Sequence, residues 1–252
     1  MFSLEIECQP EERDLLIAEL WERGSAGIHE LGPGRVRAFF EDDAASRRRL
    51  LADFPGAELR QEEVRDWVQS ARDLLQPMAV GERFFLVPEW RDDPAPPGRF
   101  RIAVNPGMAF GTGVHETTQL CMEALERYVA PGMRVLDVGC GSGILARAAT
   151  LLGAGRVYAC DIDAAAVAIA GFGFIGSADA VAAGAADLAV ANISPEAIMQ
   201  LAPDLLRVLR AGGLLLASGF EIAEAQQVQK ALPPARELRH KGNWSLLVTA
   251  RP

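Results

Sequence analysis

The run Gly139-Cys140-Gly141-Ser142-Gly143 follows directly on an apolar strand pattern, Arg134 to Val138, and leads into a helix pattern, Ile144 to Leu152. Three glycines in five residues mark a backbone that turns sharply. A ligand meeting such a turn finds no Cβ atoms in its way and faces the amide groups of a helix N-terminus. A second strand pattern, Val157 to Cys160, ends at Asp161-Ile162-Asp163, about twenty residues beyond the loop, where a carboxylate can accept both ribose hydroxyls of an adenosine group. Each feature has a bland reading, a ligand-free turn and a solvated strand-end acid. In this order and spacing they point together to a site for an adenosine-containing cofactor. A nicotinamide dehydrogenase is one such reading, since Asp161 would serve that cofactor equally well.

The elements that must position these residues are legible from periodicity. From Pro131 onward, short apolar strands (Arg134 to Val138, Val157 to Cys160, Leu188 to Ala191, Leu214 to Ser218) alternate with alanine- and leucine-rich helices. That alternation predicts a parallel sheet with crossover helices, an α/β doubly wound domain. Ahead of it, Phe2, Leu4, Ile6 and Cys8 alternate with polar residues as in a half-buried strand. Pro10 opens a helix carrying Leu16, Ile17, Leu20 and Trp21, which Gly24 stops. Arg35 to Phe40 reads as a strand, Asp42 to Phe54 as a helix and Ala57 to Val64 as a further short strand. These describe a small α+β domain of the ferredoxin-like kind over 1–64. Residues 65–98, with a helix from Asp66 to Leu75 and the proline-rich Asp92 to Gly98 loop, read as a connector, and 99–252 as the second domain.

Composition sets the outer limits. The chain has 252 residues, half of them apolar and 23% charged, with a formal charge of −9. This is the make-up of a globular protein with real core, and the charge argues against a large sequence-independent nucleic-acid footprint. No apolar run reaches the ~20 residues that a membrane span needs. The four cysteines, Cys8, Cys121, Cys140 and Cys160, and the three histidines, His29, His115 and His240, show no metal-ligand spacing, so no metal site is expected and the cysteines read as buried reduced thiols. A cytoplasmic protein with neither membrane nor direct nucleic-acid partners is expected.

Other segments name a family. The loop is G-x-G-x-G preceded by an acidic residue, not the G-x-G-x-x-G of a dinucleotide site, and it resembles the methyltransferase loop that cradles the methionine part of the cofactor. Pro106-Gly107-Met108-Ala109-Phe110-Gly111-Thr112-Gly113-Val114-His115-Glu116-Thr117-Thr118 is similar to the signature loop of the ribosomal protein L11 methyltransferases, the PrmA family. Trp67, Gln76-Pro77-Met78, Val87-Pro88-Glu89-Trp90, Leu188 to Ile193, Gly212 to Gly219 and Asn243 to Val248 extend that resemblance over most of the chain. It implies a Rossmann-like methyltransferase domain using S-adenosylmethionine, with Thr118, Gly139, Gly141 and Asp161 holding the cofactor. Asn192 would be both a cofactor-side and the catalytic residue, its side-chain carbonyl holding a substrate nitrogen by its N–H groups. The implied reaction methylates lysine or N-terminal amino groups of a large-subunit ribosomal protein gripped by the N-terminal domain, and a monomer is expected. His115 reads either as a polar orienter or as a structural histidine satisfied by its neighbours, and Asn192 alone could be a turn residue. One departure stands out: Ala164 to Ala186 is shorter than the family pattern and mostly Ala, Gly and Val, with Ser177-Ala178-Asp179-Ala180 as the remaining adenine-side candidates. The alternatives are therefore a methyltransferase acting on another protein or a small molecule, and a non-catalytic binding module with a degenerate cofactor site.

Overall fold

The computed structural model describes residues 2–9, 13–25, 27–32, 34–41, 43–61, 76–105 and 113–252. The chain divides into two compact units, residues 1–74 and 75–252. Pro10, the Asp66 to Leu75 helix with Trp67, and 106–112 of the glycine-rich segment lie outside the described residues.

In the first unit, alternation in β1 (Phe2–Glu7) sends Phe2, Leu4 and Ile6 to one face. That face is covered by α1 (Arg13–Glu22) and α2 (Ala44–Asp53), which supply Leu20 and Leu50 to the same core. Asp43 caps α2 by accepting from the Ser46 amide at 2.8 Å. With β2 (Gly27–Gly32), β3 (Arg35–Phe40) and β4 (Glu58–Gln61), the sheet runs β2-β3-β1-β4, every neighbour antiparallel. This is the ferredoxin-like βαββαβ arrangement. Two sequence expectations are corrected. Strand β2 is unforeseen because glycines bound it and β3 pairs it through backbone groups, which a side-chain pattern does not register. Trp21, expected on the apolar face of α1, is 53% exposed, since the core-facing stripe is made by Leu16, Ile17 and Leu20.

The second unit opens with β5 (Met78–Val80), β6 (Phe84–Pro88) and β7 (Phe100–Val104), a three-stranded sheet in that order. Residues read from sequence as the latter half of a connector thus fold into this unit. Phe84 and Leu86 bury into the same core as the helix that carries Thr118. The proline-rich loop between β6 and β7 is tied down: Arg91 pairs with Asp93 and donates to Gln76, while Arg101 donates to the carbonyls of Arg91 and Asp93.

The main sheet follows. After α3 (Glu116–Tyr128) come β8 (Arg134–Val138), α4 (Ile144–Leu151), β9 (Arg156–Asp161), α5 (Ala164–Ala170), β10 (Phe174–Ile175), β11 (Ala186–Asn192) and α6 (Pro195–Arg207). Then come β12 (Leu209–Glu221), α7 (Ala225–Ala231), β13 (Ala235–Lys241) and β14 (Trp244–Ala250). The strand order is β10-β9-β8-β11-β12-β14-β13, parallel as far as β12 and antiparallel on both sides of β14. Apolar side chains fill both faces, Val135 and Val190 on one and Leu136, Ala189 and Ala191 on the other, as a doubly wound sheet requires. The chain leaves β8 toward β9 on one side, while β11 lies on the other. The reversal opens a crevice at the carboxyl ends of these strands. No helix among the described residues is long and apolar enough to cross a membrane.

Candidate functional site

A cavity of about 310 Å³ occupies that crevice, and Thr118, Gly139, Gly141, Asp161 and Asn192 all line it. The five residues expected to form the site come from α3, the β8–α4 loop, the end of β9 and the end of β11. The loop is held to the neighbouring strand by its backbone: Gly139 and Cys140 donate to the Cys160 carbonyl at 2.9 and 3.0 Å. Gly139 has φ +72°, and a Cβ there would come within 2.3 Å of the Ile193 side chain, so glycine is needed both for the turn and for the close approach of the Asn192-Ile193 segment.

Asp161 sits where the β9 ladder ends. Its Oδ2 accepts from the Gly141 amide at 2.9 Å and its Oδ1 from the Asp163 amide at 3.0 Å. One carboxylate therefore braces the glycine loop and its own turn while presenting its remaining lone pairs to the cavity. Asp163 does other work, capping α5 by accepting from Ala165.

Asn192 is the last residue of β11, in register with Ser218 of β12. Its Nδ2 donates to the Thr118 hydroxyl at 3.4 Å, which fixes the orientation of the amide, and its buried Oδ1 has no partner among the described residues. A buried carbonyl without a donor is costly to the fold, and Asn192 is among the residues lining the cavity from which an N–H would approach. The following backbone is held by Gly219, whose φ is +101° and whose Cβ would come within 2.1 Å of the Ile193 carbonyl oxygen.

His115 lies on the structural side of its two readings. It caps α3, its Nδ1 2.8 Å from the Thr117 hydroxyl, and its ring meets Trp244 edge-on with centroids 4.6 Å apart. Of the adenine-side candidates, Ser177 lines the cavity together with Gly176 and Ile162, and residues 178–180 form a single 3-10 turn. The cysteines are free thiols, with Cys121, Cys140 and Cys160 buried. Burial pushes the Cys140 and Cys160 thiols up to about 12, which leaves them protonated and unreactive.

Asp137, the acid that precedes the glycine loop and helps mark it in the sequence, takes a role there that its spacing does not reveal. It is fully buried, its Oδ2 accepts from the Ala146 amide at 3.0 Å and its Oδ1 has no partner among the described residues. Burial raises its carboxyl from the ordinary 3.8 to about 7. Between these values the folded protein keeps a proton that the unfolded chain has lost. Stability therefore falls as pH rises through this window, by roughly 4 kcal/mol in all, and levels off above it. Thermal melts of the protein and of Asp137→Asn from about pH 5 to 8 should diverge, the variant gaining on the parent as pH rises; parallel curves would refute the raised carboxyl.

A doubly wound sheet with the order 3-2-1-4-5-7-6, a glycine loop after its first strand and an acid after its second defines a Rossmann-like methyltransferase that uses S-adenosylmethionine. The family model of the ribosomal protein L11 methyltransferases (PrmA) matches residues 35–252, and the chain belongs to that family. It is 40% identical over 210 residues to the ribosomal protein L11 methyltransferase of Symbiobacterium thermophilum, covering 78% of this chain and 69% of the relative. It is 39% identical over 237 residues to that of Cupriavidus taiwanensis, covering 86% and 80%. The crystal structure of a ribosomal protein L11 methylase from Lactobacillus delbrueckii subsp. bulgaricus matches with a TM-score of 0.64 at 32% identity, covering 71% of this chain and all of that one.

Proposed function

We propose that this enzyme transfers methyl groups to amino groups, lysine side chains or the N-terminal amine, of a large-subunit ribosomal protein in the cytoplasm, working as a monomer. The observation that carries this reading is the Asn192 carbonyl oxygen, buried and without a partner among the described residues, on a side chain that lines the cavity and donates to Thr118. An amine needs an acceptor for its N–H groups so that its lone pair is aimed, and Asn192 is placed to be that acceptor. Gly139, Gly141, Asp161 and Thr118 would hold the cofactor, with Gly176 and Ser177 on the adenine side. S-adenosylmethionine supplies a methyl group already activated by its sulfonium centre. What remains for the protein is binding, alignment and exclusion of water, and orientation alone can supply ~7–11 kcal/mol of a barrier. A lysine amine must first lose its proton, which a dry pocket favours by penalising the ammonium.

Charge supports a basic partner. Residues 1–74 carry 17 acidic and 10 basic side chains, so most of the formal charge of −9 lies on the unit assigned to substrate recognition. An acidic recognition unit speeds encounter with a basic protein and loses that advantage in salt. Labelled methyl transfer to purified large-subunit ribosomal proteins tests the reading. One protein should be labelled well above the rest, and its kcat/KM should fall steeply as ionic strength rises. Cofactor binding without labelling of any of them would move the target to another protein or a small molecule.

A further inference from the structure

The cavity wall beside Asp161 is built from a stretch that has little to hold it. Gly176 donates to the Asp161 carbonyl at 2.9 Å and Ser177 follows it into the cavity lining. Strand β10 before them has two residues, and of residues 171–184 Ala178 alone is buried. Phe174 and Val181 pack only partly buried against the core, so apolar packing holds this alanine- and glycine-rich segment weakly.

The anchor comes from the last residue of α6. Arg207 donates from Nη1 to the Val181 carbonyl at 2.8 Å and from Nη2 to the carbonyls of Ala178 and Asp179 at 3.0 and 3.2 Å. Its Nε is held by Asp204 at 2.8 Å, which fixes the plane of the guanidinium. The Arg207 carbonyl accepts in turn from the Gly184 amide at 3.0 Å and from Arg251 at 3.0 Å. One residue thus closes both ends of the 178–184 loop. The earlier turns of the same helix line the cavity through Ala197 and Leu201, so α6 ties this wall to the rest of the site. The planar fork of an arginine suits three carbonyls converging on it, and a lysine could satisfy only part of that set.

We propose that Arg207 is the positioning residue for the adenosine end of the cofactor: its guanidinium gathers the 178–181 carbonyls so that Gly176 and Ser177 stand beside Asp161 as the adenine-side wall. Arg207 touches no cofactor atom in this scheme and acts through the loop. The inference rests on the cofactor site assigned above.

The test is calorimetric titration of Arg207→Met, Arg207→Lys and Asp161→Ala with S-adenosylmethionine and with 5′-methylthioadenosine, which keeps the adenosine and lacks the amino-acid end. Arg207→Met should raise Kd for both ligands by the same factor, on the order of tenfold, with Arg207→Lys in between. Turnover at saturating cofactor should be unchanged, and the Val181 and Gly184 amides should exchange faster with deuterium. If Asp161→Ala weakens binding and the Arg207 variants do not, the proposal fails and the cofactor site stands. If Asp161→Ala binds as tightly as the parent, the site itself is misplaced and the proposal falls with it. A weakened kcat with unchanged Kd, or loss of cooperative melting in both Arg207 variants, would make Arg207 a fold residue and overturn the proposal.

Discussion

Replacing Asn192 with alanine should leave S-adenosylmethionine binding close to that of the parent and lower turnover roughly a hundredfold or more, the scale set by losing the alignment of a reacting group. The side chain is the last of β11 and contributes one buried carbonyl to the cavity wall, so its removal takes away an acceptor and little packing. The loss should appear in kcat more than in KM for the protein substrate, because aiming the nitrogen matters most as the new bond forms. Thr118→Val should lower turnover more weakly, since it removes the hydroxyl that accepts from Asn192 Nδ2, and should also weaken cofactor binding, since Thr118 is proposed to hold the cofactor. Titration with cofactor and single-turnover methyl transfer separate the two effects. Undiminished single-turnover rates in Asn192→Ala would remove Asn192 from the chemistry.

Replacing Asp161 should act on the other half of the cycle. Its carboxylate accepts from the Gly141 and Asp163 amides and lines the cavity, so Asp161→Ala should lose the proposed cofactor contact and the brace on the glycine loop together. Charge-assisted hydrogen bonds contribute about 1.5–3 kcal/mol each, so Kd for S-adenosylmethionine should rise roughly a hundredfold. Asp161→Asn, which keeps one acceptor oxygen, should lie between the parent and the alanine variant. Saturating cofactor should restore most of the rate in either variant. An unchanged Kd, or a kcat that saturation does not restore, would place Asp161 outside the cofactor site.

Much of this architecture is written in short stretches of chain. The alternation in Phe2 to Ile6, the buried run Arg134 to Val138, the glycines that follow it and the acid at the end of β9 all act through local constraints, namely strand periodicity and a backbone turn that only glycine accommodates. They suffice for the doubly wound sheet and for the place of the loop and of Asp161. Strands with a weaker side-chain signal escaped: β2 is bounded by glycines, and the edge strand β13 is mostly polar along its length.

The rest depends on residues that meet only when the chain has folded. Thr118 and Asn192 are 74 positions apart, and their contact turns a strand-end asparagine, which by itself could be a turn residue, into an oriented acceptor. His115 becomes a cap because α3 starts at the next residue and Trp244 packs on its ring. The Asp137 carboxyl is raised to about 7 by full burial, with the Ala146 amide of α4 on one oxygen, a property of the surroundings that no spacing encodes. Arg207 reads in sequence as an ordinary basic residue at a helix end, and only the return of 178–184 onto that end makes it a brace. Hydrogen-bond partners and desolvation are set by distances through space, and for these residues the tertiary fold alone brings the partners together.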